Sequence, residues 1–361
     1  MPDKYGNYSE EEMRILSESY SKIDVYRDGI RIVRDGKIVD YKINGSHKIR
    51  KISKKFREDL KSGILSLILA NVHRDNNLTI EIRSKYINIY YRGGNMLLIR
   101  EKKTGYNFEF DLRYVKEDND NKVKILISEL PKHVATLNDA QAWSNMIPTI
   151  KAVMDTYFVS HKKAEREFQQ LVVRENNIGG IAKKTDYFIC DVEYQIGDTR
   201  FDLVAAKCIG RGKYRLALIE MKYADSALVG KSGILDHVRK AYKYLSENNI
   251  NDLKKEMHEI LEIKRELKLV DDLPSKFEFS KVKPEFIFLL ANHKPASGSL
   301  DSELNKLEKE SFYIDFRIMA DLKLATASFF GYGLFNDCIY THNEFKEVNK
   351  TLLDIASRRK K

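Results

Sequence analysis

The sequence predicts an α/β protein of two domains, an N-terminal α+β domain over residues 1–135 and a C-terminal core of mixed sheet flanked by helices over residues 136–361. The chain of 361 residues exceeds the ~100 to 200 residues of one typical domain, and its 43% hydrophobic content can fill two cores. Before residue 130, Ile and Tyr alternate in short runs, the period of an antiparallel sheet. From residue 187 onward, strand-length apolar runs alternate with helix-period segments, the order of an α/β core.

The elements follow in order. "IRIVRDGKIVDY" (30–41) holds two β-rich runs around Asp35-Gly36, a hairpin signal. In "SKKFREDLKSGILSLILAN" (53–71), Phe56, Leu60, Ile64, Leu67 and Ile68 recur at helical spacing, predicting one amphipathic helix. Its basic outer face offers Lys51, Lys54 and Lys55 to a DNA backbone; a solvated face is the plainer alternative. "LTIEIRSKYINIYYRGGNMLLIR" (78–100) and "YNFEFDLRYV" (106–115) predict a small antiparallel sheet, and "KEDNDNK" (116–122) a loop. Residues 138–176 read as helix, capped by Asn138 or Asp139 and kinked at Pro148. Strands are expected near 187–195, 200–207 and 214–223, then a helix over 234–247. The charged stretch 251–273 reads as a solvated surface helix, "PEFIFLLANH" (284–293) as a buried strand, and residues 316–335 as closing strands.

Lys and Arg number 63 against 53 Asp and Glu, and the net charge of +10 favours polyanionic partners. Cys190, Cys208 and Cys338 lack CxxC spacing, so neither a disulfide framework nor a zinc site is expected. The opening "MPDKYGNYSEEEMRI" lacks the order of a signal peptide, and no apolar run nears the ~18 residues that span a bilayer. The expectation is a cytoplasmic protein with reduced thiols and no membrane partner.

Chemistry concentrates on one predicted hairpin. "TRFDLVAAK" carries Asp202, the glycines Gly210 and Gly212 make the turn, and "LALIEMK" returns with Glu220 and Lys222 on one face. An isolated Glu-x-Lys on a strand is most often an exposed ion pair. Here the flanks are apolar, and a charged pair at the end of a buried strand is unusual unless it binds something. Asp202, Glu220 and the Met221 backbone carbonyl form an oxygen donor set suited to Mg²⁺, with Lys222 beside it to orient or deprotonate a water. Glu165, three residues before Phe168 on a helix, lies along an inward face; a solvated edge is the bland alternative.

Helix with Glu165, strand with Asp202, strand with Glu220 and Lys222, then helix: this order resembles the PD-(D/E)XK nuclease superfamily over residues 162–245. Within it, "AEREFQQLV", "RFDLV" and "LIEMK" look most like the nuclease domain of Shedu-type antiphage proteins. The resemblance implies a restriction-endonuclease-like core, a Mg²⁺-dependent endodeoxyribonuclease in which Mn²⁺ can substitute, and a role in prokaryotic antiphage defence. Carried across, Asp202 and Glu220 are metal ligands, Lys222 activates the water, and Glu165 is an additional acidic group. Phe201 stands where the proline of the pattern would be. The helical Gln-x-x-x-Tyr of some members has only Lys240 and Tyr244 at that spacing, an expected DNA contact, while Tyr242 is assigned to the core stripe. The expected partners are DNA, RNA as the alternative substrate, and a further copy of the chain.

A competing motif follows the strand. Gly230, Lys231 and Ser232 resemble the end of a Walker A loop, but Asp225 occupies the position of its first glycine, placing a Cβ and a negative charge where phosphate would lie. The segment is expected to be a connection from which Lys231 touches a DNA phosphate. An NTPase and a noncatalytic nucleic-acid-binding protein remain the rival functions. No Gly-x-Ser-x-Gly, HExxH or Gly-x-Gly-x-x-Gly motif appears, and the 8 histidines read as structural or exposed.

Overall fold

The structure, a computed structural model, describes residues 23–26, 29–34, 37–42, 49–115, 121–178, 185–196, 199–210, 212–248, 250–293, 298–326, 334, 336 and 339–358. The chain groups into two units: a mixed-sheet unit of Met1–Lys48, Ala182–His258 and Pro274–Lys361, and an antiparallel unit of Ile49–Ile181 and Glu259–Leu273. In the first, β1 (Ile23–Tyr26), β2 (Gly29–Arg34) and β3 (Lys37–Lys42) form a small antiparallel sheet. Arg34 pairs with Lys37, as in the expected hairpin, whose Asp35-Gly36 turn lies outside the described residues.

The antiparallel unit begins with α1 (Lys54–Lys61) and α2 (Ser66–Arg74). Ser53 caps α1 by accepting the Phe56 N–H, and Phe56 and Leu60 are buried. At Gly63 the chain folds back so closely that a Cβ would stand 2.3 Å from Asp59 Oδ1, so the single helix expected here is two. β4 (Leu78–Ile82), β5 (Tyr86–Tyr91), β6 (Gly94–Glu101), β7 (Tyr106–Glu109) and β8 (His133–Val134) then form a five-stranded antiparallel sheet in chain order. Residues 116–120 of the expected loop lie outside the described residues, and α3 (Asn121–Ser128) starts directly after them.

The long helix expected over 138–176 is also two, α4 (Leu137–Ser160), which runs through Pro148, and α5 (Ala164–Asn177). Thr136 caps α4, in a capping box where Asp139 is the third helical residue and not the cap. α5 is fastened to the sheet by Gln170. Its Oε1 accepts the Gly93 N–H at 2.7 Å, and its Nε2 donates to the carbonyls of Asn77 and Tyr90. Gly93 has φ +69° and a Cβ there would lie 2.5 Å from the Arg166 backbone, so this turn requires glycine. Arg92 adds an ion pair to Glu167 at 2.6 Å. A cut between residues 135 and 136 therefore does not separate the units: these helices group with the sheet that precedes them, and β1 to β3 group with the later core.

In the mixed-sheet unit β9 (Tyr187–Ile196), β10 (Thr199–Gly210) and β11 (Lys213–Tyr223) form an antiparallel ribbon, followed by α6 (Ile234–Glu247) and α7 (Ile250–Glu266). The two-residue β12 (Glu278–Phe279) pairs with β11. Then come β13 (Glu285–Ala291), α8 (Gly298–Glu308), α9 (Ser311–Met319), β14 (Asp321–Thr326), β15 (Ile339–Thr341) and α10 (His342–Arg358). The strand order is β15-β14-β13-β11-β10-β9, with β11, β13 and β14 mutually parallel and buried along nearly all their length. The expected strand at 316–319 is the end of α9, and residues 327–333 lie outside the described ones.

α7 is not the solvated helix expected of its charge. Leu253, Met257, Ile260, Leu261 and Ile263 are buried, and so are three of its charged side chains. Glu256 accepts from the Tyr194 hydroxyl at 3.2 Å, Lys254 donates to the carbonyls of Ser280 and Val282, and Lys264 pairs with Glu81 at 2.9 Å. Each charge enters with a partner. Glu256 and Lys254 make their contacts in the mixed-sheet unit, and Lys264 makes its own in the antiparallel unit.

A second charged layer crosses the strands of the mixed sheet. Fully buried Glu285 lies 3.1 Å from Lys207, 3.3 Å from Arg215 and 3.6 Å from Lys323, and accepts from the Tyr187 hydroxyl at 2.6 Å. Burial pushes its carboxyl up, but Lys207, Arg215 and Lys323 pull harder and hold it well below the usual range. Arg215 and Lys283 both pair with Asp321. Cys190 is buried and Cys208 exposed, both as thiols, and Cys338 lies outside the described residues. Among the described residues no helix is long and apolar enough to cross a membrane.

Candidate active site

β10 and β11 pair regularly from Cys208 opposite Tyr214 to Leu203 opposite Ile219, and there the ladder stops. Two residues beyond Ile219, the Met221 N–H donates to the side-chain Oδ2 of Asp202 at 2.9 Å. A strand residue points its N–H and C=O to the same side, so the Met221 carbonyl faces the gap beside Asp202. The end of the ladder thus opens the polar site.

Asp202, Glu220 and Lys222 are all buried, at 4%, 2% and 4% exposure. The Asp202 and Glu220 carboxyls are near enough that each penalises the other's charge. Burial above all, and then the Glu220 charge, pushes Asp202 up to about 7, against the opposing pull of the Met221 N–H and Lys222. Lys222 Nζ stands 3.9 Å from Glu220 Oε2. Ala224, at φ 65° and ψ 163°, turns the chain away just past the lysine.

A fourth side chain completes the group. His237, in the first turns of α6, brings Nδ1 to 3.0 Å from Glu220 Oε2. Burial, with help from the Lys222 and Lys240 charges, lowers it to about 4, and an uncharged ring in the tautomer with its proton on Nδ1 has the reach to donate to the carboxylate. Sequence reading set every histidine aside. The available signal was position: His237 stands four residues before Ala241 and seven before Tyr244, both buried, on the helix entered from the Glu-x-Lys strand.

Other expected residues stand elsewhere. Tyr244 is a correction: it is 3% exposed, its ring edge-on to Phe201 at 5.1 Å, and so is core, whereas Tyr242 is the half-buried tyrosine, beside Phe312. Lys240 is exposed and paired with Asp236 at 2.8 Å. Lys231 is exposed on the single 3₁₀ turn Gly230–Ser232, and Asp225 accepts from His293 at 3.3 Å, an arrangement unlike a loop of amides turned inward on phosphate. Glu165 lies half-buried in the first turn of α5, in the antiparallel unit, and is not among the residues that the mixed-sheet unit brings together. In that same unit Lys54 pairs with Glu58 at 3.7 Å and Lys55 with Asp59 at 2.5 Å, while Lys51 is exposed.

Among the described residues no group of three or more His, Cys, Asp or Glu side chains is arranged to hold a metal ion. The donor set that fits one is smaller: the Asp202 and Glu220 carboxylates and the Met221 carbonyl, all oxygen, with water to fill the remaining positions. The raised Asp202 points the same way, since two buried carboxylates side by side penalise each other's charge and a cation between them would relieve it. No protein-family model, curated protein or solved structure matches the chain.

Proposed function

We propose that this chain is a metal-dependent nuclease that hydrolyses DNA phosphodiester bonds on a restriction-endonuclease-like core. The observation that carries the reading is the buried Asp202–Glu220 carboxylate pair with Lys222 at its side. Asp202, Glu220 and the Met221 carbonyl would hold Mg²⁺ or Mn²⁺, which when bound neutralises phosphodiester charge and activates a water. On binding the cation Asp202 would give up its proton to solvent, leaving both carboxylates free to serve as ligands. Lys222 orients the attacking water through its ammonium donors and offsets the charge that develops on the phosphate. Defence against foreign DNA is the role implied by the likeness to Shedu-type nucleases, and Lys231, Lys240 and Glu165 remain candidate contacts with substrate.

Purified protein would be incubated with plasmid, linear DNA and RNA in Mg²⁺, Mn²⁺ or EDTA. The expected result is DNA cleavage that EDTA stops. Lys222→Ala should lower cleavage by ~10²–10⁴-fold while keeping Mn²⁺ affinity, Glu220→Gln should abolish cleavage, and Asp202→Asn should weaken both cleavage and Mn²⁺ binding. Equal Mn²⁺ affinity in wild type and Asp202→Asn would remove the ligand assignment. DNA retention with no cleavage under any metal would favour the noncatalytic binder, and loss of an ATPase in Lys231→Ala the nucleotide reading.

A further inference from the structure

We propose that His237 is the positioning residue of this site, holding the Glu220 carboxylate in the orientation that binds the cation; the inference rests on the nuclease reading above. Its placement is built into the start of α6. Gly233 caps that helix with extended backbone, and a Cβ there would lie 2.6 Å from the Leu228 carbonyl oxygen and 2.7 Å from the Val229 carbonyl carbon. The helix start is therefore pressed onto the turn that leaves β11. Further along, the Tyr244 ring meets Phe201, the neighbour of Asp202 in sequence, at 5.1 Å. One helix is thus registered against both strands that carry the carboxylates.

The Glu220 side chain has three rotatable bonds, and Lys222 Nζ is 3.9 Å from Oε2, too far for a short charge-assisted hydrogen bond. His237 Nδ1, at 3.0 Å, is within that reach of the same oxygen. A ring N–H donates along one fixed direction, which sets the plane of the carboxylate where a flexible ammonium would not. Carboxylate ligands held in this way by an outer hydrogen bond typically lose 10–100-fold in metal affinity when the donor is removed.

The test compares three variants by calorimetric titration of the full chain with Mn²⁺, with circular dichroism to establish folding. Asn carries an N–H close to the Nδ1 position and Gln carries one close to Nε2, so the pair separates donation from bulk. His237→Asn should stay within about 3-fold of wild type, while His237→Gln and His237→Ala should bind Mn²⁺ ~10–100-fold more weakly. Cleavage at saturating Mn²⁺ should recover in folded His237→Gln, because the ligands themselves remain. If Gln and Asn behave alike, or if a folded His237→Ala keeps wild-type affinity, the positioning role is wrong and the metal site stands without it. If wild type itself takes up no Mn²⁺, the nuclease reading falls, and this inference with it.

Discussion

Asp202 binds its proton more tightly in the folded chain than in the unfolded one, because burial and Glu220 penalise its ionised form and move it from 3.8 to about 7. Between those values folding takes up a proton, so this contribution to stability falls as pH rises. His237 acts with the opposite sign. Lowered from 6.5 to about 4, it refuses a proton that the unfolded chain accepts, so its contribution grows as pH rises through that window. Comparing two proteins that share His237 removes most of its contribution: in EDTA, the urea-unfolding stability of wild type minus that of Asp202→Asn should fall with rising pH from pH ~4 to ~7, by up to ~1.4 kcal/mol per pH unit. A difference that stays level would mean that Asp202 is not raised by burial and Glu220. Saturating Mn²⁺ should abolish the slope, since the carboxylates then have another cation. For Glu285 the concern is lost pairing: Glu285→Ala leaves Lys207, Arg215 and Lys323 buried around an empty place and should cost about 3–5 kcal/mol by the same unfolding measurement. Asp202, Glu220 and Lys222 were legible in the sequence because apolar neighbours flank charged residues at strand spacing. His237 was not, because one histidine on a helix carries no spacing of its own.

At the scale of elements, composition misled where charge is paired inside. α7 has the inward period of an amphipathic helix, and its buried Lys254, Glu256 and Lys264 read as solvent-facing until their partners Ser280, Val282, Tyr194 and Glu81 are known. Those partners come from distant sequence, which no local pattern reports. The ribbon β9 to β11 and the apolar β13 were legible because period 2 and continuous burial are local properties. Helix breaks at Gly63 and at residues 161–163 were missed, since the apolar stripe continues across both. α1 also changes the expectation for DNA binding. With Lys54 and Lys55 paired to Glu58 and Asp59, mutating Lys51, Lys54 and Lys55 together to Gln should shift the slope of log DNA affinity against log salt by no more than ~0.9, the value of one phosphate contact. A larger change, read from a salt series, would mean that DNA displaces those acids.

For the whole molecule, the chain enters the antiparallel unit at Ile49, leaves it after Ile181, returns for Glu259–Leu273 and leaves again. Fragments 1–135 and 136–361 cut across both units, so neither is expected to give a cooperative thermal transition alone; a sharp melt from either would show that the contacts crossing the cut are dispensable. The last visit matters most. It delivers Lys264 to Glu81, a fully buried pair at 2.9 Å. On a ribosome, residues 49–181 emerge well before residue 264, with β9, β10 and β11 made in between. Until then the buried Glu81 lacks its Lys264, while the strands that carry Asp202 and Glu220 are already being laid down. Synthesis order thus ties completion of the first unit to the appearance of the second, and a chain that stalls after β11 would leave both unfinished.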